Sequence, residues 1–314
     1  MRRSFLSTVK SWSQPRNLVI GVPYLWLLAF FAIPFVIVLK ISFSWMQPIQ
    51  PGYAPLIEWV EETRRLVVSF NFDNYQVLIR ESLYVDTFLY SVKVAAVSTF
   101  WCLLLGYPMA YAIARSKPST RNLLLMLIIL PFWTSFLLRV YAWVGLLKTN
   151  GVINNTLLAM GLIDEPLTLL YTDFAVYVGI VYSYLPFMIL PLYSNLEKHD
   201  LTLLEAAADL GAGPFKAFFK VTLPLSMPGI VAGCLLVFIP AAGELVIPTL
   251  VGDAASPMIG RVISDQFSSA RDWPMASSIA VVLLVLAAIA ALGLVVAGII
   301  RLVRALWPQP SRRN

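Results

Sequence analysis

Six stretches of apolar sequence, each long enough to cross a bilayer, constrain this chain more than anything else in it. They lie near Leu18–Ser44, Phe88–Ala114, Asn122–Leu147, Phe174–Leu196, Gly229–Val251 and Ala276–Leu302. A spanning helix needs about 20 mostly apolar residues to match a hydrocarbon core ~30 Å thick. Inside lipid the backbone must satisfy its own hydrogen bonds, and a run of this length does so as a helix. The expected fold is an all-α polytopic membrane protein with six transmembrane helices. Composition agrees: 59% of residues are hydrophobic and 13% charged, where a soluble domain carries about a quarter as charges. The first run is longer than the ~7–15-residue core of a cleavable signal, so it is expected to stay as an anchor.

Prolines recur inside these runs, at 23 and 34 in the first, 186 and 191 in the fourth, 240 and 248 in the fifth. Proline removes an N–H and crowds the preceding turn, but packed neighbours in a membrane can satisfy the freed carbonyls. Kinked helices around a shared pathway are the expectation.

Charge sets the orientation. Arg2, Arg3, Lys10 and Arg16 precede the first run, and Arg115, Lys117 and Arg121 join the second to the third. Lys198, Lys216 and Lys220 join the fourth to the fifth, and Arg301, Arg304, Arg312 and Arg313 end the chain. Acidic residues gather on the other side: Glu58, Glu61, Glu62, Asp73, Glu81, Asp86, Asp164, Glu165, Asp173, Asp253, Asp265 and Asp272. By the positive-inside rule both termini face the cytoplasm. The arrangement is a cytoplasmic tail at 1–17, a six-span domain at 18–302 and a second tail at 303–314. A large outer loop occupies 45–87 and a cytoplasmic loop 197–228. In the outer loop, Leu56–Val60 and Leu66–Phe70 are expected to form interfacial helices or a small cap. The net charge of +6 is mostly this topology signal, and no basic soluble face exists to bind nucleic acid.

The two cysteines, Cys102 and Cys234, sit in apolar runs as small hydrophobes. The single histidine, His199, has no ligand partners at useful spacing, so no metal site is expected.

The cytoplasmic loop carries most of the functional information. Thr202 and Glu205 have the spacing of a capping box, which starts a helix. Glu205 and Asp209 share one face, and Ala206, Ala207 and Ala208 keep its surface low. Gly211 or Gly213 can close the helix in a left-handed cap, and Pro214 forbids continuation. Phe215, Phe218 and Phe219 then form a second amphipathic piece, with Lys216 and Lys220 on its polar side. The product is a helix–turn–helix foot suited to a partner's groove.

These residues resemble a known family. Glu205-Ala206-Ala207, Gly211 six residues after the glutamate, and Val221-x-Leu223-Pro224 match the "EAA" loop of permease subunits of binding-protein-dependent ABC importers. The family prefers Ile where Val221 stands. The resemblance implies the type I permease fold, with a coupling helix between spans four and five seated in a dimer of separate ATPase subunits. Glu205, Ala206, Ala207, Asp209, Gly211, Leu223 and Pro224 are then the coupling residues. The chain has no G-x-x-x-x-G-K-[ST] loop, so this permease is expected to be non-catalytic, with ATP and Mg bound by the partner. It also implies a second permease subunit and a periplasmic binding protein.

Gly106–Ala110, Lys117–Thr120, Leu130–Ser135, Arg139–Trp143 and Gly243–Pro248 are similar to the polyamine (putrescine/spermidine) importer permeases. Permeases for ferric iron, sulfate and thiamine share parts of the third span and are the alternatives. A polyamine needs carboxylates for its ammonium charges and aromatic walls for its methylenes. Glu244 is the one carboxylate well inside a span, and seven residues place it roughly 10 Å from Val251. A carboxylate at such depth costs about 2.5–3.5 kcal/mol on insertion scales, so it should face a cavity or a partner. The substrate or Arg139 answers to that description, and the remaining alternative is that the side chain simply reaches interfacial water. Trp101, Tyr107, Trp133 and Tyr141 are candidate pathway aromatics. A stand-alone proton-coupled transporter would need intramembrane titratable pairs, and a membrane enzyme would need clustered His, Asp or Glu.

Overall fold

A computed structural model describes residues 15–60 and 65–306. Two compact units are present, one of residues up to Arg80 with Gln266–Val282, the other of Glu81–Asp265 with Leu283 onward. The tails expected at 1–17 and 303–314 lie largely outside the described residues, as do Glu61 and Glu62.

In the first unit, α1 (Pro15–Ser42) is a continuous helix through Pro23 and Pro34. Its described side chains are apolar and exposed until its last turns. The segments expected as interfacial helices or a small cap form no helix; they are a pair of antiparallel strands, β1 (Ile57–Val60) against β2 (Arg65–Val68), with Glu58 opposite Val67. Short apolar pieces of four or five residues are ambiguous between the two periods, and Ile57, Trp59, Val67 and Val68 favour strands. The helix α2 (Asp73–Arg80) is tied back to the end of α1. Tyr75 Oη donates to Ser42 Oγ at 2.7 Å and Ser278 Oγ donates to Ser42 O at 3.0 Å.

The second unit is built on three helices. α3 (Ser82–Arg115) packs against α7 (Asp173–Leu196), and α11 (Met227–Ala242) packs on both. Between them lie α4 (Pro118–Ile129), α5 (Phe136–Leu147) and α6 (Val152–Ala159). The foot follows α7 as α8 (Thr202–Asp209), α9 (Pro214–Ala217), a π-helical turn at Phe218–Thr222 and α10 (Leu223–Leu225). Beyond α11 come α12 (Val246–Val251) and α13 (Ile259–Ser268), then α14 (Trp273–Leu306), whose start belongs to the first unit.

Among the described residues, four helices are long and apolar enough to cross a membrane, within α1, α3, α7 and α14, and the number reaches six if each of two bent pairs, Pro118–Trp133 with Phe136–Ala159 and Pro214–Leu225 with Met227–Ala242, counts as one span. The third expected span is one such pair, bent by 90° between Trp133 and Phe136. There Pro131 sits in a 3-10 turn, Thr134 is extended, and the Thr134 hydroxyl donates to Pro131 O at 2.7 Å. A proline alone does not make a break, since α7 passes through Pro186 and Pro191 without interruption. The fifth expected span, Gly229–Val251, is likewise not one helix, because α11 stops at Ala242 and α12 starts at Val246.

Gly229 and Gly233, one turn apart on α11, explain how closely α7 and α11 approach. A Cβ on Gly229 would lie 2.8 Å from Asn195 Cβ and 3.2 Å from Pro191 O; one on Gly233 would lie 3.2 Å from Met188 O. Small residues at this spacing let helix backbones meet where lipid supplies no hydrophobic drive.

Candidate functional site

The foot begins at Thr202, but not through a capping box. Leu201 precedes the helix with helical φ/ψ and no side-chain cap. Thr202 is already the first helical residue, and its N–H is taken by Asp200 Oδ1 at 3.0 Å. An aspartate two residues upstream reaches that N–H through a local turn and outcompetes the Thr–Glu pair. The N–H of Thr202 holds the fully exposed Asp200 carboxyl below its usual range.

The helix closes as expected at Gly211, whose φ is +75°. Gly211 N donates to Ala208 O at 2.8 Å and Ala212 N to Ala207 O at 2.9 Å, the paired bonds of a Schellman cap. Pro214 then opens α9. Glu205, Ala206, Asp209 and Gly211 are exposed together on this foot, with Ala207 half-buried. Leu210 and Phe215 stand 87% and 81% exposed.

Of the three phenylalanines, Phe218 alone turns inward, its ring 5.6 Å from Tyr107 and 6.5 Å from Tyr111 on α3. A cavity of about 290 Å³ lies under the foot, lined by Leu204, Ala208, Ala212, Pro214, Phe218 and Tyr111 among others. Leu223 is half-buried and Pro224 exposed, just before Ser226. Ser226 Oγ donates to Leu223 O, so the 2.9 Å bond it shares with Tyr107 Oη is donated by the tyrosine. Tyr107, proposed from sequence as a pathway aromatic, thus meets the end of the foot.

Glu244 sits in the break between α11 and α12 rather than inside a span helix, and is 7% exposed. Its Oε1 accepts from Val246 N at 3.1 Å and Ile247 N at 3.4 Å, while Tyr184 Oη donates to Oε2. The carboxylate therefore caps α12 and holds it to α7. The break is crowded from the far side by Gly260, where a Cβ would lie 2.8 Å from Glu244 O. Arg139 is not its partner: that guanidinium stands 5.3 Å over the Phe132 ring and 5.7 Å over Phe136. None of Trp101, Tyr107, Trp133 and Tyr141 hydrogen-bonds Glu244. Trp101, Trp133 and Tyr141 are 45%, 84% and 56% exposed, and the aromatic residue on the glutamate is Tyr184 instead.

Sequence reasoning missed Asp200, Tyr184, Ser226 and the Gly229–Gly233 pair. The two glycines were readable as a small-xxx-small motif, and Asp200-x-Thr202 as an Asx turn. Tyr184 lies 60 residues from Glu244 and had no local signal.

Residues 103–306 match the family described as binding-protein-dependent transport system inner membrane component. The chain is 41% identical over 275 residues to the spermidine/putrescine transport system permease protein PotB of Salmonella typhimurium (strain SL1344), covering 88% of this chain and 91% of that protein. It is 46% identical over 214 residues to the PotB of Escherichia coli (strain K12), covering 68% and 78%. Its fold is similar to a chain of a bacterial ABC transporter involved in import of the acidic polysaccharide alginate, with TM-score 0.69 and 16% identity over 94% of this chain and 98% of that one. The architecture, the foot and these matches agree, and the chain belongs to the binding-protein-dependent transport system inner membrane components, multi-pass permeases of ABC importers.

Proposed function

We propose that this permease moves a polyamine, putrescine or spermidine, into the cytoplasm by alternating access. The observation that carries the reading is the 41% identity to a spermidine/putrescine permease protein across 88% of the chain. The foot supports coupling to a separate ATPase dimer that binds ATP and Mg, with Glu205, Ala206, Ala207, Asp209, Gly211, Leu223 and Pro224 as its docking residues. In this reading the chain itself catalyses nothing. It pairs with a second, related permease, receives substrate from a periplasmic polyamine-binding protein, and has both termini in the cytoplasm.

Glu244 is the candidate acid of the pathway. An ammonium group approaching Oε2 would compete with the Tyr184 hydroxyl, and the buried carboxylate would become accessible on separation of α7 and the break. That is a natural property of a gate that opens only in part of the cycle.

The test is ATP-dependent uptake in vesicles holding the full complex, comparing labelled putrescine, spermidine and ferric iron with and without candidate binding proteins. Polyamine accumulation that needs ATP supports the proposal, whereas accumulation of iron and no polyamine would sink it. Glu244→Gln separates the pathway role, because unchanged polyamine uptake at unchanged protein level removes Glu244 from it.

A further inference from the structure

We infer that Arg121 is a positioning residue that ties the foot to α3, so that displacement of α8 reaches α3 instead of being absorbed in the connecting loop. The inference rests on the reading of the foot as the ATPase dock.

One guanidinium links three groups at this junction, with Tyr193 of α7 beside it in hydrogen-bonding contact with both Glu197 and Arg121. Arg121, in the first turn of α4, donates from Nη1 to Glu197 Oε1 at 2.5 Å. From Nη2 it donates to Ala114 O at 3.2 Å and Ser116 O at 3.3 Å, the open carbonyl end of α3. The planar fork of arginine suits this geometry, since it reaches a carboxylate and two carbonyls without changing rotamer. A lysine carries all its donors on a single nitrogen and lacks the planar fork that spans the two sites.

Glu197 is the residue that caps α7, and α8 starts five residues later at Thr202. The connection is not slack: Lys198 N donates to Asn195 O at 3.2 Å and His199 N to Leu196 O at 3.3 Å. At its other end the foot meets α3 again, through Tyr107 on Ser226 and through Phe218 against Tyr107 and Tyr111. The connection into the foot and the foot's far end are therefore both fastened to α3, the first by Arg121 through Glu197 and the second by Tyr107 through Ser226.

A stability role does not account for the arrangement. The two side chains are 23% and 40% exposed, and pairs with that access to water contribute little to folding. What they set is relative position.

The experiment uses the full complex, permease with its ATPase, in nanodiscs. Spin labels are placed at Ala112→Cys on α3 and Leu203→Cys on α8, with Cys102 and Cys234 replaced by Ala. In the parent chain the distance distribution is expected to stay single and narrow in both nucleotide-free and ATP-trapped states. Arg121→Gln and Glu197→Gln should each broaden and shift it in the trapped state, and the exchange Arg121→Glu/Glu197→Arg should narrow it again. Hydrolysis should persist in Arg121→Gln while uptake per ATP falls by about fivefold or more, the lower range of ordinary coupling energies. Distributions in both single variants that coincide with the parent would overturn the inference, as would an exchange no narrower than the singles. The distance measurement needs no substrate, so failure of polyamine uptake overturns the proposed substrate and leaves this result standing.

Discussion

The Tyr184 hydroxyl donates to the Glu244 carboxylate, joining the middle of α7 to the break between α11 and α12. The same carboxylate accepts from Val246 and Ile247. One side chain thus closes a helix start and an interhelical contact. Glu244→Ala leaves the tyrosine hydroxyl and two N–H groups without that acceptor, and each buried unpaired group costs about 1–3 kcal/mol. Glu244→Gln keeps an acceptor in place. Thermal unfolding of the purified protein should show Glu244→Ala clearly destabilised, Tyr184→Phe less so and Glu244→Gln least. Equal midpoints for Glu244→Ala and the parent would mean that the pair holds nothing.

The α7–α11 contact gives a second measurable loss. A Cβ at Gly233 meets the Met188 backbone and one at Gly229 meets Asn195 and Pro191 O. Backbone cannot move aside as a flexible side chain does, so the helices must separate. Gly229→Ala and Gly233→Ala should each cost about 1–3 kcal/mol, the range for overpacking. Gly145→Ala is the control, since nothing lies within 4 Å of a Cβ there. Unfolding midpoints that rank the control with the other two would contradict this packing account.

The contrast between what was readable and what was not follows from range. Hydropathy and turn chemistry are local properties, so the apolar runs were legible and the stop could be narrowed to Gly211 or Gly213, of which Gly211 takes the positive φ. The break at Gly243–Leu245 was not legible, because apolar residues continue through it to Val251 and only the Glu244 carboxylate, capping α12, marks the new start. Arg139 was a reasonable partner for Glu244 by charge. Two phenylalanine rings occupy its guanidinium, and a tyrosine 60 positions away answers the glutamate. At the foot, Thr202 and Glu205 matched a real pattern, yet Asp200 stood nearer to the first free N–H. Its contact with Thr202 shows that a motif at correct spacing loses to a shorter-range competitor.

Asp200 also fixes a pH dependence. Its carboxyl is held below the ordinary value of 3.8, first by the Thr202 N–H. A depressed folded-state pKa contributes stability that is fully present above the unfolded value and is lost as pH falls through the folded one. The start of α8 should therefore be insensitive to pH from 8 to about 5 and loosen only well into acid. Amide exchange at Thr202, corrected for intrinsic rates, measures this directly. Asp200→Ala should accelerate exchange at neutral pH, whereas Asp200→Asn, which keeps an oxygen acceptor, should accelerate it less. Identical exchange in all three proteins would remove Asp200 from the cap.

The foot's end offers the sharpest separation of backbone from side-chain effects. Gly211 has φ +75° and no atom within 4 Å of a Cβ position, so an added methyl meets no neighbour and costs only backbone strain. For an L-residue that strain is about 1–2 kcal/mol. Gly213 is equally unobstructed, but its φ of −62° suits any residue. Gly211→Ala should therefore loosen the Ala208 and Ala207 carbonyl bonds that close α8, and Gly213→Ala should not. If the foot is the ATPase dock, co-purification of the ATPase should fall by about fivefold or more for Gly211→Ala, since each 1.4 kcal/mol is worth tenfold in affinity. Gly213→Ala should retain it. Equal retention by both variants would show that the shape of the Schellman turn is not what the partner reads.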